Sequence, residues 1–260
     1  MMRKFFRLLT VVLAAGVYGC NSAPEAENRK PLHIVQMCDP QLGMKNYQDE
    51  LDALKDAVAQ INQLKPDAVI VCGDLVNEAN PRSFADFREA VKPLTMPLIC
   101  VPGNHDIGNH PTTESMALYR KEIGPDHYAV DLAWCRVIVV NSMLWKFPAD
   151  PLTREHDVWL KNELRRAAAE KRPVIIAGHC PLFVKSVGEK EQYFNVGLEK
   201  RRELLELFAT GKVRLVLSGH THTSFEHQVN GIWFVNGPTT SINFDHRQPG
   251  FNLLTLHPEQ

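Results

Sequence analysis

The chain has 260 residues, of which 44% are hydrophobic and 23% are charged, and its formal net charge at pH 7 is −1. This length can hold one large domain or two small ones, and the composition is that of a globular protein with a well-filled core. The balanced charge, with no long basic run, argues against a protein that binds nucleic acid.

The N-terminus differs in kind from the rest of the chain. Arg3, Lys4 and Arg7 form a positively charged region before the short apolar stretch Leu8–Val17. This stretch is too short to be a comfortable permanent membrane span, so residues 1–19 are predicted to be a signal peptide.

The end of this segment resembles a bacterial lipobox, in which cleavage leaves an N-terminal cysteine for lipidation. Gly19 is followed by Cys20, although Tyr18 is bulkier than that motif usually has. An ordinary cleaved signal peptide and an uncleaved anchor are the alternatives. Residues 20–30 are predicted to be a lipidated cysteine and a disordered tether, and residues 31–260 the folded domain. The expected protein is an exported bacterial lipoprotein, anchored to a membrane and facing the periplasm or the cell exterior.

Short apolar runs and longer segments of helical periodicity alternate along the remaining chain. The predicted strands are Leu32–Met37, Ala68–Val71, Pro97–Val101, Tyr128–Leu132, Cys135–Val140, Pro173–Ala177, Val213–Leu217, Phe225–Val229, Ile232–Val235 and Phe251–Leu256. The predicted helices are Tyr47–Leu64, Phe84–Val91, Ser115–Ile123, Glu155–Lys171 and Leu198–Ala209. This alternation predicts an α/β fold with a largely parallel core sheet.

The cysteines other than Cys20 have no regular spacing. Cys38, Cys72, Cys100 and Cys180 each lie beside an apolar run, which is typical of small buried hydrophobic residues rather than metal ligands. An oxidising periplasm would favour disulfide pairing, so this question stays open.

Residues that commonly bind metals follow five of the predicted strands. In chain order they are Asp39 and Gln41, Asp74, Asn104 and His105, His179, and His220 with His222. Ligands of parallel sheets bind beyond the carboxyl ends of the strands, so we expect these side chains to meet. Residues two apart in an extended loop point the same way, which lets the last two histidines face one site.

A set of carboxylate, amide and imidazole ligands suits Mn²⁺, Fe, Zn²⁺, Co²⁺ or Ni²⁺. With an aspartate that can bridge, the set fits two ions about 3.5–4 Å apart, which clamp the attacking and leaving oxygens of a phosphoryl displacement and acidify a bridging water. A histidine outside the metal ligands can then protonate the leaving group. These residues therefore predict a two-metal phosphoesterase.

The motifs D-x-Q, G-D-x-x-N, G-N-H-D, G-H and G-H-x-H occur in this order across Asp39–His222. The series resembles the calcineurin-like metallophosphoesterase superfamily. This resemblance implies a four-layer α/β/β/α sandwich with a dinuclear metal centre at the carboxyl ends of the strands. It also implies a first metal held by Asp39, Gln41, Asp74 and His222, a second held by Asp74, Asn104, His179 and His220, and a catalytic His105 near the leaving group.

Secondary matches resemble one branch of the superfamily. They are the D-P-Q form of the first motif, Asn141-Ser142 after a strand, H-x-P-L-F from His179, and Tyr193-Phe194-Asn195 before a helix. Together they resemble the calcineurin-like phosphoesterase domain-containing protein 1 branch, a serine/threonine phosphatase family, more than the cyclic-nucleotide phosphodiesterase-like members. This implies hydrolysis of phosphate monoesters, including phosphoproteins, by a metal-bridging hydroxide. The alternatives are a phosphodiesterase acting on nucleotide or lipid-derived diesters, and a non-catalytic metal-binding surface lipoprotein.

The chain departs from the superfamily pattern at two positions. Gln41 stands where the first motif usually ends in histidine, and for soft or highly charged ions a neutral amide oxygen is a poorer ligand than imidazole. We therefore expect a weakly held first metal, with Mn²⁺ or Mg²⁺ favoured over tightly bound iron. Asn77 replaces the carboxylate that orients the catalytic histidine in phosphoprotein phosphatases, and Asp106, beside His105, is a candidate to orient it instead.

Three further residues are candidates for the substrate cleft. Tyr193 and Asn195 either line the cleft or form the lead-in to the next helix. Arg247 could pair with a phosphate bidentately, or it could be an ordinary solvated arginine.

Overall fold

The structure is a computed structural model that describes the backbone of residues 6–11 and the whole of residues 29–258. Cys20 and most of the predicted signal peptide and tether lie outside the described residues. Within the predicted signal peptide, Phe6–Val11 form a strand.

Two sheets make up the centre of the molecule. In chain order the strands are β1 (Phe6–Val11), β2 (Leu32–Met37), β3 (Ala68–Val71), β4 (Leu98–Cys100), β5 (Tyr128–Leu132), β6 (Cys135–Val139), β7 (Val174–Ala177), β8 (Val213–Ser218), β9 (Phe225–Val229), β10 (Ile232–Asn236) and β11 (Phe251–Leu256). The first sheet has the order β1-β11-β2-β3-β4, and the second has the order β5-β6-β7-β8-β10-β9. Strands β2, β3 and β4 are mutually parallel, as are β6, β7, β8 and β10, whereas β5, β9 and β11 pair antiparallel with β6, β10 and β2.

The helices lie between these strands in the chain. They are α1 (Tyr47–Leu64), α2 (Pro81–Val91), α3 (Asn104–Ile107), α4 (Thr113–Glu122), α5 (Met143–Lys146), α6 (Leu152–Ala169) and α7 (Leu198–Thr210). Helix α2 begins earlier than predicted because Asn80 caps it, accepting a hydrogen bond from the Ser83 amide, and Pro81 occupies the first turn. Helices α3 and α5 were not predicted, because four residues are too few to show a periodicity.

Alternate residues of the strands face two different apolar cores. Ile34 and Ile70 of the first sheet pack with Val137 and Leu215 of the second sheet, in a core between the sheets. The intervening strand residues, such as Val35, pack against the helices in a larger core. This division confirms the predicted four-layer α/β/β/α sandwich.

The cysteines of the described chain are free, with Cys100 partly exposed and the others buried. Burial raises the pKa of the Cys100, Cys135 and Cys180 thiols to about 12, so these side chains are neutral.

Among the helices that the structure describes, none combines the length and the apolar character needed to cross a membrane.

Candidate metal centre

Loops at the carboxyl ends of β2, β3, β4, β7 and β8 meet at one end of the sandwich. They carry the predicted metal ligands, and each of these side chains belongs to a residue no more than 5% exposed: Asp39, Gln41, Asp74, Asn104, His179, His220 and His222. Buried polar groups cost free energy unless they are paired with hydrogen-bond partners or metal ions. These side chains converge from both sheets, so each of them needs a hydrogen-bond partner or a bound metal ion.

One group of these side chains surrounds Asp74. His179 Nε2 lies 3.3 Å from Asp74 Oδ2 and 3.0 Å from Asn104 Oδ1. Ligand atoms of Asp74, His179 and His220 all lie within 4.8 Å of one another. These distances suit donors gathered around one metal ion.

A second group lies around Asp39. His222 Nε2 is 3.7 Å from Asp39 Oδ1, and His179 Nδ1 is 4.0 Å from the same oxygen. The Gln41 backbone amide donates to the Asp74 carbonyl over 2.8 Å, which joins the first and second motifs. The two groups therefore adjoin, with Asp74 next to both.

Backbone carbonyls orient two of the histidine rings. His179 Nδ1 lies 2.8 Å from the Cys72 carbonyl, and His222 Nδ1 lies 2.6 Å from the Ile242 carbonyl. A carbonyl only accepts hydrogen bonds, so in each neutral ring Nδ1 carries the proton and Nε2 keeps a lone pair for a metal.

Two buried ligand atoms lack hydrogen-bond partners in the described structure: Gln41 Oε1 and His220 Nδ1. Each belongs to one of the two groups, and each is a Lewis base. A pair of divalent cations fits this donor set, because it would satisfy both atoms as well as the carboxylates.

The backbone at the site adopts unusual conformations. Positive φ angles occur at non-glycine ligand residues, namely Asp39 (47°), Gln41 (41°), Asp74 (50°), His220 (67°) and His222 (52°). Gly73 also has a positive φ of 84°, and a Cβ there would lie 2.5 Å from His179 Nδ1. Such conformations are held against their local cost by the surrounding structure and are typical of functional sites.

Burial and mutual attraction shift the pKa values of these groups. Burial opposes charge on both Asp74 and His179, but their attraction lowers the pKa of Asp74 and raises that of His179 to about 10. Burial raises the pKa of Asp39 well above its ordinary value and lowers that of His220 to about 3. A divalent cation would replace the proton of His179 and relieve the buried carboxylates.

His105 lies beside this centre on helix α3. Its backbone amide donates to Asp74 Oδ1 over 2.8 Å, and its ring Nδ1 lies 2.9 Å from the Asn77 carbonyl oxygen. The ring is partly exposed. The Asn77 carbonyl therefore bonds to Nδ1 and not to Nε2 of His105.

The hypothesis that Asp106 orients His105 is wrong. The fully buried Asp106 carboxylate instead accepts hydrogen bonds from the backbone amides of Leu75, Val76 and Gly103. It joins the loop after β3 to the loop after β4, whereas the Asn77 carbonyl orients His105. Burial, followed by repulsion from Asp74, raises the pKa of Asp106 to about 8.

The candidate cleft residues differ in placement. The Tyr193 ring lies against His220, with centroids 5.1 Å apart, and Tyr193 is 51% exposed. Asn195 is fully buried, and its amide donates to Glu189 and to the Lys190 carbonyl inside the loop, so it cannot line the cleft. Arg247 is exposed, and its guanidinium lies 3.5 Å from the carboxylate of Asp245.

Sequence reasoning missed Phe244. Its ring stacks on His222 with centroids 4.5 Å apart and an interplanar angle of 12°, and Phe244 is 48% exposed. The signal that could have found it is an aromatic residue alone in the polar segment 238–250. Ser241 was also missed, and its hydroxyl donates to the Asp39 carbonyl over 2.8 Å.

Residues 32–224 match the family model described as calcineurin-like phosphoesterase, which spans every predicted metal ligand. The chain belongs to the calcineurin-like phosphoesterase family. Membership makes this protein a hydrolase that acts on phosphate esters, and it implies divalent metal ions as cofactors.

The chain is similar in sequence to two named proteins and in fold to a solved structure. It is 32% identical over 229 residues to the serine/threonine-protein phosphatase CPPED1 of Bos taurus, covering 78% of this chain and 72% of the relative. It is 28% identical to a probable cyclic nucleotide phosphodiesterase of Synechococcus sp., covering 88% of this chain and 86% of the relative. A dimetal phosphatase from Danio rerio has the same fold, with a TM-score of 0.58 and 14% identity over 81% of this chain and 88% of that chain. The predicted resemblance to the family and to the CPPED1 branch is thus confirmed.

Proposed function

We propose that this phosphoesterase is a metal-dependent phosphatase that hydrolyses phosphate monoesters, with phosphoproteins among its substrates. The observation that carries the proposal is the buried cluster of Asp74, His179 and His220, with ligand atoms within 4.8 Å, beside His105. The relatives named CPPED1 support the monoester assignment. The cyanobacterial relative makes diester hydrolysis the second candidate.

In this proposal, two divalent ions occupy the adjoining groups. Asp39, Gln41, Asp74 and His222 would hold one ion, and Asp74, Asn104, His179 and His220 the other. When bound, the ions supply electrophilic polarisation of the phosphate and activation of a water molecule. Manganese is the proposed native metal, because Gln41 offers a neutral oxygen where a softer ion would favour imidazole.

His105 is proposed to donate a proton to the leaving oxygen. The Asn77 carbonyl accepts from Nδ1 at 2.9 Å, which fixes the plane of the ring and leaves Nε2 for the substrate. When the ring is protonated, Nε2 is a proton donor. Removal of a general acid typically lowers the rate about 10²–10⁴-fold. Tyr193 and Phe244, on the two histidines His220 and His222, are proposed to contact the rest of the substrate.

The test uses chelator-treated protein supplied with Mn²⁺ and assayed with p-nitrophenyl phosphate and bis-p-nitrophenyl phosphate. We expect hydrolysis only with metal, a preference for the monoester, and a loss in kcat of about 10²–10⁴-fold in His105→Ala. His33→Ala is the matched control, because His33 is exposed near the opposite end of β2. Full activity in His105→Ala would refute its role, and preference for the diester would favour the second candidate. Bound metal with neither activity would favour a non-catalytic metal-binding lipoprotein.

We further propose that the protein is exported and anchored by a lipid on Cys20, facing the periplasm or cell exterior. The basic residues, the short apolar stretch and Gly19-Cys20 support this. We expect the wild-type protein in the membrane fraction and Cys20→Ser in the soluble fraction of the expressing bacterium. Cys135→Ser is the control, since that buried cysteine belongs to the folded domain. Equal membrane association of wild type and Cys20→Ser would contradict the lipid anchor.

A further inference from the structure

The side chain of Asn77 contacts the one amide among the ligands proposed for the first metal. Gln41 Nε2 donates to Asn77 Oδ1 over 3.2 Å, while Gln41 Oε1 is buried without a hydrogen-bond partner. The two ends of a glutamine amide are nearly equal in size but opposite in polarity, and only the oxygen can bind a cation. Because Asn77 Oδ1 accepts from the Nε2 end, the Oε1 end of Gln41 is left for the metal.

The backbone of Asn77 forms hydrogen bonds with the loop after β2 and with His105 in the loop region after β4. Its amide donates to the Leu42 carbonyl over 3.0 Å, and its carbonyl lies 2.9 Å from His105 Nδ1. Leu42 and Val76 form a parallel β-bridge beside this contact. Asn77 thus joins a proposed metal ligand through its side chain and the proposed catalytic histidine through its main chain.

We infer that Asn77 is a positioning residue that holds the Gln41 amide with its oxygen available to the first metal. Because His105 bonds to the Asn77 carbonyl, substitution of the Asn77 side chain removes the hold on Gln41 and keeps the acceptor for His105. Gln41 and Asn77 act as a pair in this inference, because the contact with Asn77 Oδ1 engages the Nε2 end of the Gln41 amide. The inference rests on the proposed function for the existence of two metal sites, whereas its test measures binding.

The experiment titrates Mn²⁺ into chelator-treated full-length protein by calorimetry. Wild type is expected to bind two ions. In Asn77→Leu, which lacks an acceptor, we expect the affinity of one ion to fall about 10–100-fold, as for other residues that orient metal ligands, and the other affinity to stay within a few-fold. Asn77→Asp keeps an oxygen acceptor and is expected to bind both ions at least nearly as tightly as wild type. Glu78→Leu, at the exposed neighbouring position, is the control.

A double-mutant cycle separates orientation of Gln41 from general structural damage. Gln41→Glu offers an oxygen at both ends of the side chain, so orientation no longer matters for metal binding. Asn77→Leu is therefore expected to change Mn²⁺ affinity by less than about 3-fold in the Gln41→Glu background, well below the 10–100-fold loss expected for a positioning contact. Asn77→Ala replaces Asn77→Leu if the latter does not fold.

An equal loss of affinity in both backgrounds, or no loss in either, would overturn the inference. Two Mn²⁺ ions with the expected coupling but no hydrolysis of p-nitrophenyl phosphate would refute the proposed function and leave the positioning role intact. Hydrolysis of p-nitrophenyl phosphate with no dependence of the Asn77→Leu effect on the residue at position 41 would refute the positioning role and leave the proposed function intact.

Discussion

At the scale of single residues, Gly219 in the loop after β8 lies so close to Asp39 and Cys72 that no side chain fits there. A Cβ at this position would lie 2.5 Å from Asp39 Oδ2 and 2.9 Å from the Cys72 carbonyl oxygen. The His220 amide, one residue on, donates to both carboxylate oxygens of Asp39 over 3.1 Å. A side chain at Gly219 would therefore displace a proposed metal ligand together with the amide that holds it.

We predict that Gly219→Ala lowers the free energy of unfolding by about 1–3 kcal/mol, the usual cost of overpacking a well-packed site, and weakens Mn²⁺ binding. Urea denaturation and calorimetric titration measure the two effects. Gly188→Ala is the matched control, because a Cβ there would meet nothing within 4 Å. Equal stability and Mn²⁺ affinity in the two variants would contradict this account of the Gly219 contact.

At the scale of elements, the polar side chains of Arg201 and Glu189 hold the segment between β7 and α7 in place. Arg201 of α7 is fully buried, and its guanidinium donates to the carbonyls of Val187, Glu189 and Val196 at 2.8 Å each. The Glu189 carboxylate accepts from the amides of residues 184–186. Tyr193 belongs to this segment, and its exposed ring lies against His220. The hydrogen bonds of Arg201 and Glu189 therefore help to position Tyr193 beside the metal centre.

We predict that Arg201→Met leaves the buried Val196 carbonyl unsatisfied, removes two further partly buried hydrogen bonds, and lowers the free energy of unfolding by about 1–3 kcal/mol. Amide hydrogen exchange is expected to accelerate in residues 184–197, and KM is expected to rise more than kcat falls, because Tyr193 loses its support. The neighbouring Arg202 is exposed, so Arg202→Met is the control. Unchanged exchange in this segment would show that Arg201 does not order it.

At the scale of the whole molecule, a chain of contacts runs from α6 to the metal centre. His156 of α6 is fully buried, and its Nε2 accepts from the Asn141 amide over 3.1 Å. The next residue, Ser142, accepts at its hydroxyl from the amides of His179 and Cys180, at 3.0 and 2.8 Å. The outer helix thus supports the backbone of a proposed ligand.

This contact gives the folded protein a pH dependence. Burial lowers the pKa of His156 below its ordinary value of 6.5, even though the Asp157 carboxylate beside Nδ1 opposes this shift. Below about pH 6.5 the unfolded chain binds a proton that the folded chain excludes. The free energy of unfolding contributed by His156 is therefore complete above that pH and is lost as the pH falls towards the lowered pKa, by at most about 1.4 kcal/mol per pH unit.

We predict a shallower loss of stability between pH 6.5 and pH 5 in His156→Gln, whose amide can accept from Asn141 without titrating. Urea denaturation of chelator-treated protein over this range removes the contribution of metal release from the comparison. His127→Gln is the control, since His127 packs against His156 but is partly exposed. Identical pH slopes for wild type and His156→Gln would exclude His156 as the source.

The sequence by itself determined the fold class and the proposed ligand set. Each proposed ligand lies in a loop that follows an apolar strand, and the carboxyl ends of parallel strands meet, so the positions of Asp39, Asp74 and His179 in the chain already implied their convergence. The sequence also indicated the family, because five metal-ligand motifs occur in the order that is typical of it.

Only the tertiary structure decided which groups support the ligands. Asp106 lies next to His105 in the chain, yet its carboxylate bonds to the loop after β3, and Asn195 lies near Tyr193 but is turned into its own loop. Phe244 reaches His222 from a distant segment. Such contacts join segments far apart in the chain and depend on side-chain direction, which hydrophobic periodicity and motif spacing do not encode.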